Sequence, residues 1–169
     1  EHIRFLGVDT AEKSKGSQDE NLDGLKAGSV MALDDTECFS IANAQVKKAF
    51  TNPKSLSMRD DLSWLCWEDI KAPDLSSAGG IRQVGRYMMM DKSKSFMNRV
   101  EQEINAAKAG LNAPTVNVHI FYGLSGGTGS GCFLDVCYMV RHIANKVGGI
   151  TIFGYFFLPD VNLSRIPFS

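Results

Sequence analysis

An α/β fold with a mostly parallel sheet and helices on both faces is predicted by three features of the chain. The stretches "VNVHIFYG" (Val116 to Gly123) and "ITIFGYFFL" (Ile150 to Leu158) are nearly unbroken runs of β-branched and aromatic residues, as strands covered on both faces should be. Between them Phe133, Val136, Cys137, Val140, Ile143, Ala144 and Val147 recur at i, i+3, i+4 and i+7, which predicts an amphipathic helix over Cys132 to Val147, ended by Gly148 and Gly149. The link between first strand and helix holds five glycines in the nine residues Gly123 to Gly131. A strand, glycine loop, helix and strand in that order imply a right-handed crossover joining parallel neighbours.

Earlier elements follow from the same periodicities. "IRFLGV", starting at Ile3, is the first apolar element. From Ala11 to Ser77 the pattern is weaker: "DTAEKSKGSQDENLDGLKAGS" is polar and glycine-containing, a loop by composition. "CFSIANAQVKKAF" mixes strand and helix periods, and "LSWLCWEDI" reads as a short helix. Ile81, Val84 and Met88, then Phe96, Val100, Ile104 and Ala107, give helical spacing over Ile81 to Ala109. Asp91-Lys92-Ser93 offers a break between two helices there, and Ala109-Gly110 an end. No internal repeat or long low-complexity tract interrupts the chain.

A length of 169 residues with 44% apolar and 22% charged side chains suits one globular domain. Eighteen basic against nineteen acidic residues leave a formal charge of -1, so no chain-wide field draws nucleic acid or anionic lipid, and any polyanion site must be local. No apolar run approaches the roughly 18 to 20 residues that span a bilayer, and "EHIRFLGVDT" lacks the basic start and apolar stretch of a signal peptide; the expected compartment is the cytoplasm. Cys38, Cys66, Cys132 and Cys137 form no CxxC pair and read as reduced core thiols.

The glycine loop carries the chemistry. A glycine-rich turn leaving a parallel strand and entering a helix exposes consecutive backbone N–H groups beside a positive helix end, an anion site that most often takes phosphate. Glycine permits both close approach and the positive φ of such nests, while Thr128 and Ser130 add hydroxyl donors without bulk. A Walker A loop is excluded, because no lysine follows Gly131. A Rossmann fingerprint would place Cys132 where the third glycine belongs. Gly123-Leu124-Ser125-Gly126-Gly127 matches GxSxG, the nucleophile elbow of α/β-hydrolases, but only His142 follows, inside the helix. A loop rich in glycine only for tight packing is the remaining alternative.

In this context "GGTGSG", Gly126 to Gly131, resembles the tubulin signature, the glycine loop shared by tubulins and the bacterial division protein FtsZ. Three further segments agree in order. "FLGVDTAEKS" is similar to the second strand and following loop of that superfamily, "SAGGIRQVGRYM" to its third phosphate loop and helix start, and "GGITIFGYFFLPD" to the strand after the signature helix. The match is nearest to bacterial tubulin-like proteins, covers about half of the chain, and leaves residues 13–77 as a family-specific insertion in which Trp64 and Trp67 are core or interface anchors.

The resemblance implies a three-layer, Rossmann-like nucleotide-binding domain that takes GTP or GDP with Mg²⁺. By position, Gly126, Gly127, Thr128, Gly129, Ser130 and Gly131 would cradle phosphates, Ala78, Gly79 and Gly80 would approach the γ-phosphate, and Asp9 and Thr10 would lie near the terminal phosphate and metal. Asp160 and Asn162 stand nearest to the family's ribose contacts, and Arg86 is read as a salt bridge or structural tie. The resemblance also implies that residues 1–169 are part of a domain, with the first strand and its loop before Glu1 and the base-reading and water-activating residues after Ser169. This chain alone is then expected not to hydrolyse GTP.

Phosphoryl transfer depends on positioning and charge neutralisation, so half a cradle should turn over little. In the family, hydrolysis is completed where subunits meet, which implies head-to-tail self-assembly into filaments or oligomers, with adaptor or cargo unspecified. The rival expectation is a tubulin-fold scaffold that has lost hydrolysis and binds partners. Gly129→Val is expected to remove nucleotide binding and leave the fold largely intact.

Overall fold

The computed structural model describes residues 3–10, 35–42, 46, 50, 60–66, 70, 77–111 and 114–158. Two short parallel strands come first, β1 (Gly7–Asp9) and β2 (Cys38–Ser40), in register Gly7 to Cys38 and Asp9 to Ser40. Val46 and Phe50 beyond β2 are helical, so the mixed periodicity of that stretch records a strand running on towards a helix. A 3₁₀ turn at Asp60–Leu62 is what the described residues contain of the expected short helix; residues 67–69 lie outside them, as does most of the 13–77 insertion.

Helix α1 (Arg82–Leu111) runs unbroken through Asp91-Lys92-Ser93, where the sequence offers a break. Buried Met89 and Phe96 lie seven residues apart, two helical turns, so the apolar stripe continues on both sides of the polar triplet, and Asp91 itself is exposed. Strand β3 (Val116–Gly123), helix α2 (Gly127–Val147) and strand β4 (Ile150–Phe157) form the predicted unit, with β3 and β4 parallel in register from Val116–Ile150 to Gly123–Phe157. α2 begins five residues before Cys132, inside the glycine loop. Its end is set by Gly148, whose φ of 72° suits glycine and whose N–H donates to the Ala144 carbonyl at 2.8 Å.

The core lies between the helices. Val84, Met88, Met89, Phe96, Val100 and Ile104 of α1 join Cys132, Val136, Val140 and Ile143 of α2, with Val118, Ile120 and Ile152 of the sheet packed against them. Each fully buried side chain of this size contributes about 1.5–3 kcal/mol. Arg86 donates to Asp135 at 2.8 and 3.2 Å while its guanidinium sits 4.4 Å over the Trp64 ring, which makes it the structural tie expected of it. Lys146 donates to both oxygens of Glu101 at 2.7 and 2.9 Å, a second link between the helices. Burial alone would raise the Glu103 carboxyl, but hydrogen bonds and charges from Arg4 and Arg99 outweigh it and hold it below 4.5.

The sequence predicts strands covered on both faces; in the structure one face packs on α2 and the other is exposed. Its apolar continuity comes from outward aromatics. His119 stacks on Phe153 at 4.9 Å, and Phe121 on Tyr155 at 4.6 Å, with His119 Nδ1 3.1 Å from the Tyr155 hydroxyl. Phe121 is 62% exposed, so the ladder buries its rings against one another rather than under a helix.

Two protonated acids sit under the sheet and α2. Burial, helped by the negative charges of Asp135 and Asp9, pushes the Cys132 thiol from 9.0 up to about 12; its Sγ lies 3.2 Å from the Gly85 carbonyl, to which it donates. Burial, then the hydrogen bond to Cys137, raises the Tyr122 phenol too. Both folded values lie above the unfolded ones, so stability is complete below pH about 9 and is lost as pH rises towards the folded values, because the unfolded chain releases protons first. Urea midpoints are expected to fall between pH about 9 and roughly 11, less steeply in Cys132→Ala. An alkaline limb equally steep in both proteins would show that Cys132 is not responsible.

Candidate functional site

Three segments far apart in sequence meet where β1 ends and α2 begins. Thr10, following β1, is 2% exposed and is the buried polar residue among the described ones. Its hydroxyl accepts the Ala78 N–H at 3.1 Å and lies 2.8 Å from the Thr128 hydroxyl. Thr128 Oγ1 in turn donates to Asp9 Oδ1 at 3.2 Å, an oxygen that also accepts the Thr10 N–H at 2.6 Å. The Asp9 pair, the Ala78 turn and the first turn of α2 are thereby gathered into one cluster.

The turn after Ala78 is closed by Ile81 N–H donating to the Ala78 carbonyl at 2.8 Å. Gly79 and Gly80 hold φ of 54° and 79°, a left-handed pair that other residues enter only with strain. This turn lies directly on α2. A Cβ placed on Gly127 would meet Ile81 N at 2.7 Å, Gly80 C at 2.8 Å and Ala78 Cβ at 2.9 Å. The helix end beside it is bare: Gly126 is the N-cap in extended conformation, no side chain caps the helix, and no acidic residue stands in the first turn. A 21-residue helix ending this way presents orphan N–H donors and a partial positive charge, which suits an anion. Space in front of Gly126 is open, since a Cβ there would meet nothing within 4 Å.

The remaining loop residues behave differently from their sequence reading. No glycine from Gly126 to Gly131 has positive φ, so nest geometry is not why glycine stands there. Instead, a Cβ on Gly129 would fall within 3.0 Å of the Gly123 carbonyl oxygen, and one on Gly131 equally close to that of Arg82. Gly85 of α1, which sequence reasoning passed over, is held to glycine by the Gly127 carbonyl. A glycine inside a helical pattern costs about 1 kcal/mol relative to alanine, and that cost was the available signal of close packing. Gly129→Val therefore cannot leave the fold intact, because its side chain would collide with backbone. Ser130 donates its hydroxyl back to the Gly126 carbonyl, and Thr128 donates to Asp9, so both hydroxyl protons are engaged within the protein and the helix end offers backbone donors.

Asp160 and Asn162 lie outside the described residues. Among the described residues no three His, Cys, Asp or Glu side chains come together as a metal site, and Asp9 is the carboxylate of this cluster. His142 is exposed on α2, fifteen residues and so about 22 Å along the helix from Gly127, too far to serve Ser125 as the base of a hydrolase. No helix among the described residues is long and apolar enough to cross a membrane.

A family model described as tubulin like matches residues 1–167, nearly the whole chain. No curated protein and no solved structure matches it. With the glycine loop at the start of α2 and the strand, helix, strand unit around it, the chain belongs to the tubulin-like family.

Proposed function

We propose that the chain is the guanine-nucleotide-binding core of a tubulin-like GTPase, with phosphate held at the N-terminus of α2 and flanked by the Gly79–Gly80 turn and Asp9. The observation that carries this reading is the uncapped helix end opening on free space at Gly126, tied by Thr128 and Thr10 to the other two loops. The residues present fit the group: N–H donors for phosphate oxygens, room that a Cβ would fill, and a nearby carboxylate. Mg²⁺ is commonly held by one or two carboxylates together with substrate phosphates, which one aspartate can satisfy, and it would neutralise phosphate charge. In the complete three-layer domain, Asp160 and Asn162 would lie on the ribose side. Hydrolysis would be completed by a neighbouring subunit in a head-to-tail assembly in the cytoplasm.

The test is calorimetric titration of the longest native chain containing these residues with GTP and then ATP, each with Mg²⁺. GTP-selective binding is expected; a folded chain that binds neither nucleotide would overturn the reading. That result would select the second reading, a non-hydrolysing tubulin-fold scaffold for protein partners, which is supported by the internally bonded hydroxyls of Thr128 and Ser130 and by the exposed aromatic face of β3 and β4.

A further inference from the structure

We infer that Thr10 is the positioning residue of this site: its buried hydroxyl, without meeting ligand, sets the spacing of Asp9, the Gly79–Gly80 turn and the N-terminus of α2. The contacts form one connected network. Ala78 N–H donates into Thr10 Oγ1, the Thr10 and Thr128 hydroxyls lie 2.8 Å apart, and Thr128 Oγ1 donates to Asp9 Oδ1. Thr10 Oγ1 also donates to Asp9 Oδ1 at 3.4 Å, a longer and weaker bond. The run joins Ala78 N–H, Thr10, Thr128 and Asp9, and the carboxylate at its end polarises the whole network. Its links cross 68 and 118 residues of chain, so they set tertiary spacing rather than local turn geometry.

At 2% exposure no water replaces a lost partner. Valine in place of Thr10 keeps the shape but strands the Ala78 N–H, removes the hydroxyl that meets Thr128 and lets the three loops relax separately. Serine keeps the hydroxyl and loses only the methyl. The consequence for affinity rests on the phosphate reading above; the coupling of the loops does not.

The experiment compares the full chain with Thr10→Val and Thr10→Ser by amide NMR shifts and by GTP titration with Mg²⁺. Thr10→Val is expected to move the Ala78–Gly80 and Gly126–Thr128 amides together, leave the α1 and α2 core amides in place, and weaken GTP about tenfold. Thr10→Ser is expected to restore both within about threefold. Unmoved loop amides in Thr10→Val, or a serine variant as impaired as valine, would overturn the assignment. Should Thr10→Val fail to fold, Thr128→Val cuts the same chain one link on and must shift the Ala78 amide, or the proposal falls. Wild-type protein that binds no GTP would refute the phosphate reading, and the amide shifts would still decide the role of Thr10.

Discussion

Gly131→Ala is expected to destabilise the fold by about 1–3 kcal/mol, although the same change at an open helical position is favourable by up to about 1 kcal/mol. The added methyl would meet the Arg82 carbonyl, and within 3.1 Å the Arg82 C and Arg86 N atoms, all backbone of α1 and none able to turn aside. Relief requires the helices to move apart, and with them the contacts of Val84 and Met88 across the interface. Gly110→Ala supplies the control: that glycine is also helical, but a Cβ there meets nothing within 4 Å, so a small gain in stability is expected. Urea denaturation of the two variants gives shifts of opposite sign if packing rather than flexibility explains glycine at 131. Two shifts of the same sign would refute that explanation.

Gly126→Asp is expected to separate stability from binding. The N-cap has extended backbone and open space ahead of it, which aspartate adopts readily. Its carboxylate would accept the orphan N–H groups of the first turn and complement the helix dipole, a gain of a few tenths to about 1 kcal/mol. The same carboxylate occupies the place proposed for phosphate and repels it, so affinity for GTP should fall at least about a hundredfold while the melting temperature holds or rises. Unchanged GTP affinity in the variant would move the phosphate away from this helix end. Lost affinity together with a lowered melting temperature would instead mark Gly126 as a folding residue.

Much of this was legible in the sequence where a periodicity had a single reading. β3, α2 and β4 follow from apolar spacing because a parallel strand and a helix leave different repeats. The continuity of α1 was harder to see, since Asp91-Lys92-Ser93 resembles a breaker until the seven-residue step between Met89 and Phe96 is set beside it. For the site, the residues that meet were marked by type, yet their duties were not. Thr128 and Ser130 look like ligand donors in a linear string; only the fold shows an aspartate and a carbonyl close enough to claim their protons. Gly85 lies more than forty residues from the carbonyl that restricts it, a distance no local pattern spans.

The glycine contacts between α1 and α2 also have a mechanical consequence. With backbone on backbone at Gly85, Gly127 and Gly131, the two first turns have no side-chain cushion to absorb a shift. A shift of the α2 N-terminus would press directly on the backbone of α1. With 30 residues, α1 is about 45 Å long, so a tilt of about 5° at the site end would call for about 4 Å of movement at the far end. That far end is held by Lys108 donating to the Gly148 carbonyl at 2.6 Å, next to the start of β4. Backbone contact at one end and the Lys108 bond at the other fix both ends of α1 against the strand, helix, strand unit.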